Sequence, residues 1–460
     1  MIDSMWDVVV IGAGMSGLGA GIRLALGSKK VLILEQHNSI GGLNGFYSRH
    51  GIKYDVGLHA MTNFVPAGTK GHPLSKLCRQ LRIPYGMLQL QEQKRSRIQF
   101  PGINLRFDNH WELFFEDICQ HFPQEKENIL RLDHFIEDFS ETTLIGPEFI
   151  SAKAWLSDFI KDPLLKEMLL LPLFYYGSAH SNDLDLRQFA ILYKALYKEG
   201  FARPKGGVRT LLNLLRTRYR ELGGKLKVKT KVESLEIENG KVSKILLSTG
   251  EVIQAKQILS SIGFYETQAL CNKHYDHFEP VITFSETIST YQESPESLHW
   301  EDTIVFFNKT NQVDYGASKL PLDLQSGVVC IPENYENSEQ TQTTLRTTHL
   351  SSFDAWNLLS QTQYQEEKKR LLEASRDCAF KILGGNRPQK LLDEDMFTPL
   401  TIKRFTQHRN GAIYGSPKKF RDGYIGYKNL FICGTDQGFL GIVGALLSGI
   451  SIANYYCLKL

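Results

Sequence analysis

Residues 6–11, Trp-Asp-Val-Val-Val-Ile, form a β-branched run, the pattern of a strand buried on both faces of a parallel sheet. A glycine cluster follows at once, Gly12-Ala13-Gly14-Met15-Ser16-Gly17, then a small-residue stretch from Leu18 to Leu26 that predicts a helix. A second apolar run, Val31–Leu34, closes on Glu35. Across 69–200 the strand pattern is lost. Segments rich in aromatics and leucine predict helices there, among them Trp111–Phe122 and Ile129–Phe139, broken by turns at Pro101-Gly102 and Gly146-Pro147.

The character changes at Arg203-Pro204-Lys205-Gly206-Gly207-Val208, which opens a helix through Leu211, Leu212, Leu214 and Leu215, ended by Gly223-Gly224. Short strands are expected at 226–230, 231–237, 241–247, 252–255 and 257–261, with turns at Asn239-Gly240 and Thr249-Gly250. By composition alone these would be a surface meander. Strands at 281–290, 303–307, 327–331 and 343–350 predict a second, mostly antiparallel sheet, covered by a charged helix from Gln365 to Leu383. Near the end come an apolar strand, Leu430 to Cys433, an acid, Asp436, glycines at 438 and 441, and a small-residue helix.

The first unit has a chemical reading. Gly12 allows a tight strand-to-helix turn, Gly14 lets backbone approach a pyrophosphate, and Gly17 permits close helix–strand packing. The helix N-terminus offers N–H groups and positive dipole to phosphate. Glu35, 23 residues after Gly12, stands where a carboxylate accepts hydrogen bonds from a ribose diol and repels a 2′-phosphate. The unit therefore binds a dinucleotide other than NADP. Six residues beyond Glu35 a second glycine pair, Gly41-Gly42, precedes Leu43 and Asn44, and Tyr54-Asp55-Val56-Gly57-Leu58-His59 follows. A glycine pair in that register lets backbone pass close to a diphosphate and ribityl chain.

Composition narrows the field. With 42% hydrophobic and 22% charged residues the chain is neither disordered nor collagenous, coiled-coil or polytopic. A formal charge of +3 points to no nucleic-acid partner. Seven scattered cysteines without a C-x-x-C pair suggest no disulfide framework and no metal site, and fit a reducing cytoplasm. The first strand begins too early for a secretory leader. No apolar run reaches the roughly 20 residues of a membrane span; the nearest, Met168–Tyr176, is short and interrupted by Pro172. No Ser-His-Asp order, H-E-x-x-H or P-loop is present.

The E-x5-GG extension with its D-x-G turn resembles the FAD-containing amine oxidase and phytoene desaturase superfamily. The succession P-x-GG, V-x-x-L and N-G-K-V (from Pro204, Val232 and Asn239) occurs there in the same order. So does the closing pair: Thr398-Pro399-Leu400-Thr401 with Gly411-Ala412-Ile413-Tyr414-Gly415, and Cys433-Gly434-Thr435-Asp436 with Gly441-Ile442-Val443-Gly444-Ala445-Leu446. Within the superfamily this pair resembles the retinol saturase and carotenoid isomerase branch. The turn Gln437–Leu440 departs from the glycine-richer desaturase pattern.

The resemblance implies an α/β fold in which a Rossmann-like, glutathione-reductase-type FAD domain (1–68, 203–265, 396–460) is interleaved with an α+β substrate domain (69–202, 266–395). It places the strand of Val232 at the adenine. The C-terminal helix, from Gly441, Ile442 and Val443, would face the pyrimidine edge of the flavin beside Gly434, with Asp436 holding the ribityl or phosphate region. His59 is a candidate to exchange a proton beside the hydride, or a histidine packed by the flavin. Tyr414 is a candidate substrate-facing hydroxyl or a wall. Aromatics such as Trp111, Phe114, Trp155, Phe174, Tyr175 and Tyr176 are numerous enough to line a tunnel for an apolar polyene, isoprenoid or lipid.

One glycine fingerprint and no second one imply an external electron donor or acceptor. A lipid substrate implies contact with a membrane surface without an anchor. Two other readings remain open at this point: an amine oxidase, which shares the N-terminal motifs, and a lipid-binding escort such as the Rab GDP dissociation inhibitors. The intact glycines, Glu35 and Asp436 argue against the escort.

Overall fold

The structure is a computed structural model describing residues 5–57, 59–139, 149–339 and 341–458. The expected turn at Gly146-Pro147 lies outside the described residues. Trp6–Ile11 is the middle strand of a five-stranded parallel sheet, ordered Leu430–Ile432, Ala255–Ser260, Trp6–Ile11, Val31–Leu34, Lys225–Lys227. From Val8 to Ile11 its apolar run is unbroken because both faces are covered. Val8 and Val10 enter a core shared with the helices Met15–Leu26, Val208–Glu221 and Gly441–Ile452. Val9 and Ile11 meet the antiparallel strands Val232–Glu238, Lys241–Leu247 and Val252–Ile253. Residues 255–260, unremarkable by composition, are thus a central partner of the first strand rather than part of that surface meander.

A second, seven-stranded sheet runs Leu391–Phe397, Thr283–Tyr291, Thr343–Ser351, Ser326–Cys330, Ile304–Asn308, Ser96–Phe100, Ile103–Phe107. Every neighbouring pair is antiparallel except Ile304–Asn308 with Ser96–Phe100. This corrects the all-helical expectation for 69–200. Pro101-Gly102 closes a β-hairpin, and its strands complete the sheet through a partner some 200 residues away. The strand Leu391–Phe397 spans residue 396, where the last cofactor-domain segment was expected to begin.

The long helix starts at Gln361, four residues early, because Ser360 and Gln363 form a capping box. The proline at 172 does not end its segment: the helix Pro163–Gly177 continues through it, capped by Asp162. Among the described residues no helix is long and apolar enough to cross a membrane. The helical insert packs on the seven-stranded sheet as one core. Phe114 stacks on Tyr197 there with Phe107 edge-on to both, and Trp155 packs at a tilt against Phe135 and Phe159.

Candidate active site

The first strand, its glycine turn and the following helix form one wall of a cavity of about 780 Å³ that reaches from the parallel sheet to the seven-stranded one. Gly17 shows why the fingerprint is needed. A Cβ there would stand 2.1 Å from the Gly12 carbonyl oxygen, so only glycine lets the helix lie against the turn. At Gly14 a Cβ would meet nothing within 4 Å, because that position faces the cavity. Gly41, at φ 120°, folds the second glycine pair back so that its N–H donates to the Ala13 carbonyl. Two glycine loops thus present bare backbone to one groove.

Glu35 ends the second strand at the rim of this groove. Its carboxylate accepts the N–H groups of Ala13 and His37, each at 2.8 Å, which fixes the acid and the glycine turn together. Lys231, Val232 and Leu270 line the cavity beside it. The middle is lined by Gly12, Gly14, Met15, Ser16 and Gly41 to Asn44, and the far end by His59, Tyr414, Gly434, Gly441 and Ile442.

Other expected residues stand behind the wall. Ala13 contributes its N–H to Glu35, and Val443 is core. Asp436 is buried away from the main cavity and accepts the N–H groups of Phe264 at 2.6 Å and Ser416 at 2.7 Å, so it ties two loops to the turn. The departing Gln437 has a task of the same kind. It accepts from the Ser448 hydroxyl at 2.5 Å and donates to the Arg421 carbonyl, joining the turn to the C-terminal helix. Asp55, of the D-x-G turn, meets Arg203 at 2.5 Å and the N–H of Val208 at 3.1 Å, an anion at the start of the P-x-GG helix.

The far end is where the seven-stranded sheet contributes. Of the aromatics expected to form a tunnel, Tyr175 and Tyr176 line the cavity; Trp111, Phe114, Trp155 and Phe174 are packed in the insert. Phe284, Val328, Ile413, Tyr414 and Leu440 complete an apolar wall. The Tyr414 hydroxyl donates to the Tyr175 carbonyl, which makes this side chain a braced wall. Behind it Lys419 donates to the Tyr414 carbonyl at 2.6 Å, and burial pulls its amine down to about 8 against the pull of Asp436.

His59 faces the same space, with Nε2 3.1 Å from the Thr348 hydroxyl and 3.9 Å from Glu286. Burial, then the charges of Arg346 and Arg203, hold its imidazole well below the usual histidine range. Glu286 is itself bound by Arg346, with the guanidinium Nε at 2.7 Å. Burial raises the Glu286 carboxyl above its ordinary value against the pull of Arg346. Sequence reading missed Thr348, Glu286 and Arg346. The signal was there: one acid and one base, each in the middle of a Thr- and Ser-rich strand. The register sets Glu286 opposite Thr348 and Ile288 opposite Arg346, so the charges are diagonal neighbours.

A family model described as flavin containing amine oxidoreductase matches residues 15–455. The chain belongs to that family. Its two glycine loops, the acid Glu35 at the cavity rim and the helix N-terminus at Gly441 suit the diphosphate, ribose and flavin of its cofactor, FAD, and a cavity of about 780 Å³ lies in the range of cofactor sites. The family member is 22% identical over 502 residues to a chloroplastic prolycopene isomerase of an Oncidium hybrid cultivar, covering 98% of this chain and 83% of that one. It is likewise 22% identical to a 4,4'-diaponeurosporene oxygenase of Staphylococcus aureus (strain MSSA476), covering 97% of each.

Among solved structures, an oxidoreductase from Methanosarcina mazei superposes with a TM-score of 0.69 at 15% identity, over 97% of this chain and 99% of that one. A putrescine oxidase bound to putrescine superposes with a TM-score of 0.61 at 16% identity, over 98% of each. The fold is therefore that of FAD-dependent oxidoreductases, and this family member is one of them.

Proposed function

We propose that this flavoprotein oxidises, reduces or isomerises carbon–carbon bonds of an apolar substrate of the polyene, isoprenoid or lipid class. The observation that carries the reading is the far wall of the cavity. It is aromatic and aliphatic, and Glu286, the acid beside His59, is already held by Arg346, so that carboxylate is not free to receive an ammonium group. The relatives named for prolycopene and diaponeurosporene, both polyenes, support the same class. Bound in the cavity, the flavin supplies hydride transfer at N5. The chain binds its diphosphate with the two glycine loops, excludes water with Tyr175, Tyr176, Phe284 and Tyr414, and holds a neutral imidazole, His59, at the same end. Electrons pass to or from an external partner.

The test is anaerobic. FAD-loaded protein is mixed with polyenes on one side and with amines on the other, while the visible flavin band is followed. Bleaching by polyenes, or polyene conversion by the photoreduced protein, without any response to amines is the expected result. Bleaching by amines alone would overturn the reading in favour of an amine oxidase. We expect His59→Gln to lower the polyene rate about 100-fold or more while leaving the bound flavin in place.

A further inference from the structure

Several segments close around His59. The strand Thr283–Tyr291 brings Glu286, and the strand Thr343–Ser351 brings Thr348 and Arg346. Arg203 stands on the strand Ala202–Pro204, paired with Asp55. Cys330 and Tyr335 lie against the His59 carbonyl, to which the Tyr335 hydroxyl donates at 2.8 Å. The two ring nitrogens stand in different surroundings. Nε2 meets the Thr348 hydroxyl at 3.1 Å and the Glu286 carboxylate at 3.9 Å. Nδ1 makes no hydrogen bond to any described residue, and it is not among the sealed polar atoms that lack partners, so it is open to the cavity the ring lines.

A hydroxyl serves either tautomer, because it both donates and accepts. The carboxylate does not. An N–H aimed between Thr348 and Glu286 is attracted to it, whereas a nitrogen lone pair facing it is repelled. A proton on both nitrogens is opposed by the two guanidiniums, each already engaged with an acid.

We propose that Glu286 is a positioning residue for His59: with Thr348 it keeps the proton on Nε2 and leaves Nδ1 as a bare acceptor open to the cavity. His59 then offers a hydrogen-bond or proton acceptor to what the cavity holds, and no donor on that side. Which nitrogen of a histidine carries the proton is commonly set by the partner of the other one. The use of that acceptor in catalysis rests on the reading above, but the tautomer does not.

The experiment is long-range proton–nitrogen NMR on FAD-loaded protein labelled with ¹⁵N-histidine, the His59 signals being assigned by their loss in His59→Gln. The expected wild-type result is a single neutral Nε2–H tautomer at neutral pH. Glu286→Gln, and the charge-balanced Glu286→Gln/Arg346→Met should the single variant fail to fold, are expected to raise the Nδ1–H population about tenfold. A wild-type ring that carries its proton on Nδ1, or is doubly protonated at neutral pH, overturns the proposal without any variant. So does a folded double variant with the wild-type tautomer, since Glu286 would then serve Arg346 alone. A wild type with the expected tautomer and no polyene turnover would overturn the functional reading and leave this one standing.

Discussion

His349 follows Thr348 in the same strand and turns to the opposite side, where it is fully buried between the Ser326 carbonyl at 2.9 Å and the Ser375 hydroxyl at 3.1 Å. Burial lowers its imidazole from 6.5 to about 4. The unfolded chain therefore takes up a proton near pH 6.5 that the folded chain refuses until about pH 4. This contribution to stability is complete above pH 6.5 and is lost as the pH falls towards 4, by about 3 kcal/mol at most. Denaturant unfolding of wild type and His349→Gln over that range should show the wild type losing stability more steeply, with the curves parallel above pH 7. At this scale the sequence was legible where chemistry and chain spacing coincide. Glu35 was singled out because it ends a strand at a fixed distance from a glycine turn, and the structure sets it at the cavity rim. Glu286 and Arg346 were not, because 60 residues separate two side chains that only strand register brings together. Asp436 was singled out, and the structure shows it gripping loops behind the cavity.

Among elements, the crossing of Met15–Leu26 with Gly441–Ile452 governs the cofactor end. A Cβ on Gly449 would lie 1.9 Å from the Ser16 carbonyl oxygen, and one on Gly19 would lie 2.6 Å from the Leu446 carbonyl oxygen. These contacts are with backbone, which has no rotamer to give way. Gly449→Ala should therefore part the helix that follows the first glycine turn from the helix that starts at Gly441. We expect about 1–3 kcal/mol of lost stability from overpacking, together with weakened FAD retention on gel filtration. Elements built from neighbouring residues, such as the strand–turn–helix–strand unit and the Asn239-Gly240 hairpin, were readable from period and punctuation. The hairpin Ser96–Phe107 was not, since its place is set by the distant strand Ile304–Asn308. The strand Leu391–Phe397 hid behind its acids, which are matched by Tyr54, Tyr47 and Arg376 from other segments.

For the molecule as a whole, the cavity wall belongs to both sheets. A ligand that fills it links the two, so FAD should raise the unfolding temperature of both together. Calorimetry with FAD in hundredfold excess over its dissociation constant should show one transition, shifted as about 2.7 kcal/mol of added stability requires. Two transitions, of which one ignores FAD, would mean that the sheets unfold independently. Composition gave the right class of molecule at this scale. It could not tell that most aromatics of the insert are core rather than tunnel, because a packed ring and a lining ring have the same hydropathy.

The order of the parallel sheet also dictates a timetable. Trp6–Ile11 leaves the ribosome about 420 residues before Leu430–Ile432, the strand that completes its sheet. At roughly 5–20 residues per second, the glycine turn waits on the order of 20–80 s for the helix that braces it. A nascent chain interrupted before that helix carries an open sheet edge and lacks the part of the cavity wall formed by Gly441 and Ile442. Acquisition of the yellow cofactor therefore waits for the helix Gly441–Ile452, and colour is a record that synthesis passed that helix.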